Sequence, residues 1–273
     1  MKPNNIIKSC LVITLAAIIL PSCQKVINID LNSAAPAIII EGNISSQPGP
    51  YTVSLSKTVN FSDANVFPPF TGAAITINDN AGNSEILSET SPGIYQTNTL
   101  QGTVGREYTV SVTAEGNNYQ AASILPAPVN IDSLIVKTST GFGGGPGGGM
   151  INKSVTVRFT DPAGIENYYR IIEVINHVQV NTFTITSDKL RDGETIDQRL
   201  RGNSDLRLQI GDTVMVKLLS IDKGAYEYFR TFNQSDGGGF NSSSPANPTS
   251  NISNGALGYF CAYSVTSKTV TIQ

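Results

Sequence analysis

Hydrophobic and polar positions alternate with a period of two along most of this chain. In Tyr51-Thr52-Val53-Ser54-Leu55, apolar side chains take one face and hydroxyls the other, the pattern of a strand with one buried face. Similar runs occupy 37–41, 74–78, 85–89, 94–99, 106–114 and 119–125. Turn signals separate them. Asn78-Asp79-Asn80-Ala81-Gly82 joins two of these runs as a hairpin, and Ser91-Pro92-Gly93 and Glu115-Gly116-Asn117-Asn118 turn the next ones. About seven short strands at regular spacing predict an immunoglobulin-like β-sandwich over 37–128. Pro126-Ala127-Pro128 then stiffens a short extended link, which sets a boundary near Val129.

The second half continues as strands at 131–138, 154–159, 177–186 and 212–221. Residues 168–175 are apolar on both faces and predict a central strand. The period changes to 3.6 only at 224–235. There Ala225, Tyr228, Phe229 and Phe232 fall at i, i+3, i+4 and i+7, predicting one helix whose aromatic stripe packs into a core. Two closing strands are expected at 257–265 and 268–272. The fold class is therefore all-β, with a second β-sandwich carrying one helix over 129–273. Residues 141–149, almost all glycine, predict a hairpin loop, because a phosphate-binding loop needs a lysine and a following helix. The loop at 236–255 is long and irregular, and such loops are often functional. It is the expected binding surface.

The N-terminus reads differently. Lys2 and Lys8 precede an apolar run, Cys10 to Leu20, that is too short to span a membrane and fits a signal peptide. Leu20-Pro21-Ser22-Cys23 resembles a bacterial lipobox. The expectation is a signal peptide over 1–22, cleavage between Ser22 and Cys23, lipidation of Cys23, and a tether over 23–36. Each buried CH₂ of an acyl chain contributes about 0.8 kcal/mol, so several chains hold a protein firmly on a membrane.

Composition narrows the functions. Charged residues make up 14% of the chain against abundant Thr, Ser, Asn and Gly, as in secreted β proteins rather than helical cytosolic enzymes. The net charge of −3, with no clustered basic face, argues against nucleic acid. Of three cysteines, Cys10 leaves with the signal and Cys23 takes lipid, so Cys261 remains without a disulfide partner. It is expected as a small buried group. The single histidine, His177, gives no sign of serving it as a base.

A glycan hydrolase would need two facing carboxylates. Asp161, Glu166, Glu173 and Asp222 are candidates that nothing in the sequence pairs. Asp188, Asp192, Glu194 and Asp197 lie in a polar excursion at 187–204, but their spacing does not fit an EF-hand loop. A solvated loop or short helix is expected there, with a calcium site as the alternative, and no metal ligands or cofactor are assigned. A carbohydrate-binding module without catalysis would draw its stacking platforms from Tyr168, Tyr169 and Tyr259. Alternation places the first two on opposite faces of their strand.

Several segments carry a family resemblance. The block from Pro245 to Phe260 is the most telling. Ile40-Glu41-Gly42-Asn43-Ile44, Gly93-Ile94-Tyr95, the stretch from Gly102 to Tyr108, Asp161 with Gly164, Asn167-Tyr168-Tyr169-Arg170 and the stretch from Tyr226 to Phe232 accompany it. Together with the lipobox they resemble a lipoprotein family of the Bacteroidota, domain of unknown function family 4249. The resemblance implies an outer-membrane lipoprotein, palmitate-bearing, that accompanies a TonB-dependent receptor with a carboxypeptidase-regulatory-like extension. It leaves the N-terminal sandwich immunoglobulin-like or carboxypeptidase-regulatory-like, and it carries no catalytic residues. Surface-exported relatives often bear an acidic cluster after the lipidated cysteine. Here only Asp30 is acidic, so both the periplasmic face and the cell surface stay open. Asp132-Ser133-Leu134 and Asp212-Thr213-Val214 resemble an O-glycosylation signal of such bacteria, at Ser133 and Thr213. The expected function is a non-enzymatic accessory or ligand-binding lipoprotein. The alternatives are a carbohydrate-binding surface lipoprotein and a surface glycan hydrolase.

Overall fold

A computed structural model of the chain describes residues 35–60, 66–141, 150–181, 184–200, 207–236 and 247–273. Ser22, Cys23, nearly all of the tether, most of the glycine-rich stretch and residues 237–246 of the long loop lie outside the described residues. The protein is mainly β. Its first eight strands are β1 (Ile38–Ser45), β2 (Thr52–Lys57), β3 (Ala74–Asp79), β4 (Ser84–Ile86), β5 (Ser88–Ser91), β6 (Ile94–Gln96), β7 (Glu107–Ala114) and β8 (Asn117–Ile124). Then follow β9 (Ile131–Gly141), β10 (Met150–Thr160), β11 (Tyr168–Ile175), β12 (Val178–Gln179), β13 (Thr184–Ser187), β14 (Thr195–Arg199), β15 (Thr213–Ile221), the helix α1 (Lys223–Asp236) and β16 (Leu257–Thr271).

Three sheets build two sandwiches. One sheet has the order β4-β3-β7-β8 and a second β14-β10-β9. The large third sheet runs β12-β11-β15-β16-β1-β2-β6-β5, with β13 also on β11. Alternation turns Ile40, Ile44, Val53 and Leu55 of the large sheet toward Ile75, Ile77, Val110 and Val112, forming the first core. At its other end Tyr169, Ile171, Val214 and Val216 meet Val155, Val157, Phe159 and Ile196 in the second. Helix α1 covers the outer face of β11, β15 and β16, where Tyr168, Leu219, Ala225, Tyr228, Phe229 and Cys261 pack together. Strand β11 is thus buried on both faces, as its doubly apolar run requires.

Strand β16 departs from the expected pair of closing strands. It runs unbroken for 15 residues and changes partner midway. Leu257–Tyr263 pairs parallel with β1, and Ser264–Thr271 pairs antiparallel with β15. The polar residues Thr266, Ser267 and Lys268 do not turn the chain; they lie in the more exposed half of the strand. Accordingly, the first core takes residues from Ile38 to Leu125 and then Ile252, Ala256, Phe260 and Ala262 from the far end of the chain. Residues 36–273 form one compact unit, in which residues 252–262 belong to the first core although they follow the expected boundary near Val129.

Three smaller differences involve short strands. The expected return strand at 85–89 divides at Leu87, whose N–H donates to Ile75 O at 2.9 Å. Its first part pairs with β3 and its second with β6. The run at 177–186 becomes the separate strands β12 and β13, both on one edge of β11. The polar excursion at 187–204 contains β14, an edge strand whose Ile196 is fully buried. Helix α1 begins where expected, because Asp222 caps it. Asp222 Oδ1 accepts from Ala225 N at 2.8 Å, and Oδ2 from Ile124 N at 3.3 Å, tying the end of β8 to the helix.

One buried carboxylate works against this fold. Glu173 lies on the core-facing side of β11 at 3% exposure, and its Oε2 has no hydrogen-bond partner. Burial pushes its pKa above the ordinary 4.5. The charge therefore costs stability at neutral pH and ceases to do so once protonated. Glu173→Met is expected to stabilise the protein by about 1–3 kcal/mol at pH 7. Because the folded pKa is raised, that gain is largest above it and shrinks as the pH falls toward 4.5. Urea denaturation of both proteins at pH 7 and pH 4.5 checks this; an equal gain at both would acquit the charge.

Candidate functional site

The outer face of the large sheet is covered by α1 only in part. Beside the helix, β1 and the start of β16 carry Ile39, Glu41 and Leu257 on that uncovered face, forming the floor of a groove of about 700 Å³. Tyr228 and Phe232 of the helix make one wall. Thr58, Asn60 and Phe67, from the chain after β2, make the other. Asn247 and Pro248 of the long loop close one end. Small-molecule sites commonly measure roughly 300–1,000 Å³ and combine apolar walls with few polar groups.

The stripe expected to be core is split between two tasks. Ala225 and Phe229 are buried, and Tyr228 is 7% exposed at the edge of the packed layer. Phe232, one turn on, is half-buried and faces the groove. Tyr228 stacks on Tyr259 with ring centroids 4.8 Å apart, and Phe229 on Tyr259 at 4.9 Å. The Arg170 guanidinium lies 4.1 Å from the Phe229 centroid, so the platform behind the groove is braced by charge as well as packing. Asn43 Nδ2 donates to the Tyr259 hydroxyl at 3.4 Å. Burial raises the Tyr228 and Tyr259 phenols above their usual range, so both stay neutral donors. Glu41 is the one carboxylate among the described lining residues, and desolvation raises its pKa.

The other sequence candidates go elsewhere. Cys261 is buried in the helix-covered layer, which raises its thiol pKa, while His177 sits on the exposed β11–β12 turn at φ 68°. Tyr169 is fully buried and Tyr168 is 8% exposed, on opposite faces of β11; neither offers a ring to a sugar. The proposed hydrolase carboxylates fall in three places, with Asp161 and Glu166 on the β10–β11 connection and the other two elsewhere. Asp222 caps the helix, Glu173 lies in the second core, and Glu166 is 3.9 Å from Lys223 Nζ at the surface. Asp161 is buried and accepts a hydrogen bond from the Tyr169 hydroxyl. Ser133 is half-buried in β9 opposite Arg158, and Thr213 opens β15, its N–H donating to Asn176 Oδ1 at 3.0 Å.

Sequence reasoning pointed to the long loop and missed the floor. The missed signal is Ile38-Ile39-Ile40, apolar on both faces where an alternating strand would show one polar position. Residues 24–269 match the model of a family described as Domain of unknown function (DUF4249). No curated protein matches the chain.

Proposed function

The chain belongs to the DUF4249 family, and from that premise we propose that it is a non-enzymatic binding lipoprotein of the outer membrane, held there by acyl chains on Cys23 and acting beside a TonB-dependent receptor. The observation that carries this reading is the groove. It offers an aromatic and aliphatic surface with a single carboxylate, which suits holding a ligand or a partner segment. Hydrolysis of a glycan would call for two carboxylates across the bound substrate. Among the described residues no helix is long and apolar enough to cross a membrane. The mixed polar and aromatic lining also accommodates a carbohydrate, the second ligand class worth testing.

Affinity purification of the full-length protein from detergent-solubilised membranes tests the partnership. Wild type is expected to recover a TonB-dependent receptor. Ile39→Arg, which places a charge on the groove floor, should lower recovery by about tenfold, equivalent to roughly 1.4 kcal/mol. Leu190→Arg, at a position 92% exposed and outside the groove, should leave it unchanged. Wild type that repeatedly brings down no receptor, or equal recovery by Ile39→Arg, defeats the reading. Intact-mass analysis of native material should show an acylated N-terminus beginning at Cys23.

A further inference from the structure

We propose that the β10–β11 and β13–β14 connections form a divalent-cation site of calcium type, with Asp161, Asp188 and Asp192 as its carboxylate ligands. Each of the three offers a ligand oxygen, and these oxygens all lie within 4.8 Å of one another. A calcium ion about 2.4 Å from each of two opposed oxygens spans that separation.

The strongest observation is Asp188. The residue is 2% exposed, and its Oδ1 is buried with no hydrogen-bond partner. A buried carboxylate oxygen without a donor carries its full desolvation penalty unless a cation meets it. Its neighbours worsen the balance. Burial raises the Asp188 pKa, and Asp161 and Asp192 raise it further. The ion pairs Lys57–Glu115, Arg106–Asp79, Arg158–Asp197, Lys223–Glu166 and Arg230–Glu227 engage other carboxylates. Three carboxylates thus converge, with Lys189 on the rim of the same pocket.

The cluster is also held in place from both sides. Asp188 Oδ2 accepts from Asn167 N at 2.9 Å, across from its own connection. Asp192 Oδ1 accepts from Gly164 N at 2.8 Å, again across the gap. Asp161 Oδ2 accepts from Gly193 N at 3.1 Å, and its Oδ1 accepts a hydrogen bond from the Tyr169 hydroxyl. Every carboxylate is therefore oriented by a backbone N–H of the opposite connection, which is how supporting groups fix ligands around an ion. Asp188 Oδ1 is left without a donor to meet the cation. Asp188 and Asp192 line a shallow surface pocket, so water can complete the six to eight oxygens calcium prefers. Flexible oxygen-only ligands favour calcium over magnesium, which demands a tighter octahedron.

The test uses the full-length protein in detergent, stripped with chelator and then titrated with calcium or magnesium chloride. Calcium at about 10 mM exceeds the 10⁻⁴–10⁻³ M dissociation range of extracellular modules. It should raise the melting temperature by about 5–10 °C, and calorimetry should show one site. Magnesium at the same concentration should shift it less. The chain has no tryptophan, so tyrosine-excited terbium(III) emission that calcium displaces would report binding beside Tyr169. Asp192→Asn, at an exposed position, should fold normally and lose the calcium response. Asp188→Asn should melt at or above the chelated wild type, because it removes a buried charge, and should also lose the response. No heat and no thermal shift in wild type overturns the site, as does an undiminished shift in both variants.

Discussion

Gly258→Ala is expected to cost the protein a large part of its stability. Gly258 sits at φ +97° in the first half of β16, directly opposite Ile40 of β1. A Cβ there would stand 2.1 Å from Ile40 O, 2.8 Å from Ile40 C and 3.1 Å from Ile40 N. Those are backbone atoms of the paired strand, and they cannot give way without opening the ladder. The residue would also carry the strain of a left-handed backbone. The pairing it breaks is the one that joins the two sandwiches. The expected loss is about 4 kcal/mol or more, against a total stability of roughly 5–15 kcal/mol. Gly105→Ala is the control. Its φ is +82° with nothing within 4 Å of the added carbon, so only the backbone term of about 1 kcal/mol applies. Urea denaturation followed by circular dichroism separates them. Similar midpoints for the two variants would mean that β1 and β16 can part without loss.

The same pairing shows what the amino-acid order conveys and what it hides. Local alternation places Val53, Ile75 and Val110 on core faces, and the doubly apolar run at 168–175 identifies a strand covered on both sides. The aromatic stripe locates α1 to within a residue or two at each end. These are properties of neighbours in sequence. The parallel match of Ile39 with Leu257 joins positions more than two hundred residues apart, and no local pattern encodes it. The groove floor depends on that match. The aspartate cluster is hidden for the same reason. Asp188 and Asp192 look like solvated loop residues until the β10–β11 turn brings Asp161 beside them. Strand β14 escaped notice because an edge strand needs only one buried side chain, Ile196, to hold its place.

Asp79→Ala carries the second-largest expected cost, and pH exposes its cause. Asp79 ends β3 and locks the turn that follows. Its Oδ1 accepts from Ala81 N at 3.0 Å and Asn83 N at 2.8 Å. Its Oδ2 accepts from Asn83 Nδ2 at 2.7 Å and Arg106 Nη1 at 2.6 Å. Arg106 comes from the turn before β7, so this one carboxylate, 1% exposed, sews two turns of the first sandwich together. Burial alone would raise its pKa, but the four donors outweigh it and hold the value at about 2, below the ordinary 3.8. Removing the carboxylate leaves two turn N–H groups and a half-exposed guanidinium without their acceptor, an expected loss of about 3 kcal/mol. A depressed folded pKa means the stabilisation is complete above about pH 4 and drains away as the pH falls through about 2. At neutral pH the ionised form contributes on the order of 2 kcal/mol. Asp79→Asn keeps the shape and loses the charge, so its stability should vary less than that of wild type between pH 4 and pH 2. The gap between the two proteins should narrow across that window, opposite in sign to the effect of Glu173, whose burial penalty disappears in acid. A wild-type acid profile that Asp79→Asn fails to flatten would place the acid-sensitive charge elsewhere, with Glu85 next in line. Its carboxylate accepts the N–H groups of Asn98, Thr99 and Leu100, and its pKa too lies below the ordinary value, the hydrogen bonds outweighing burial.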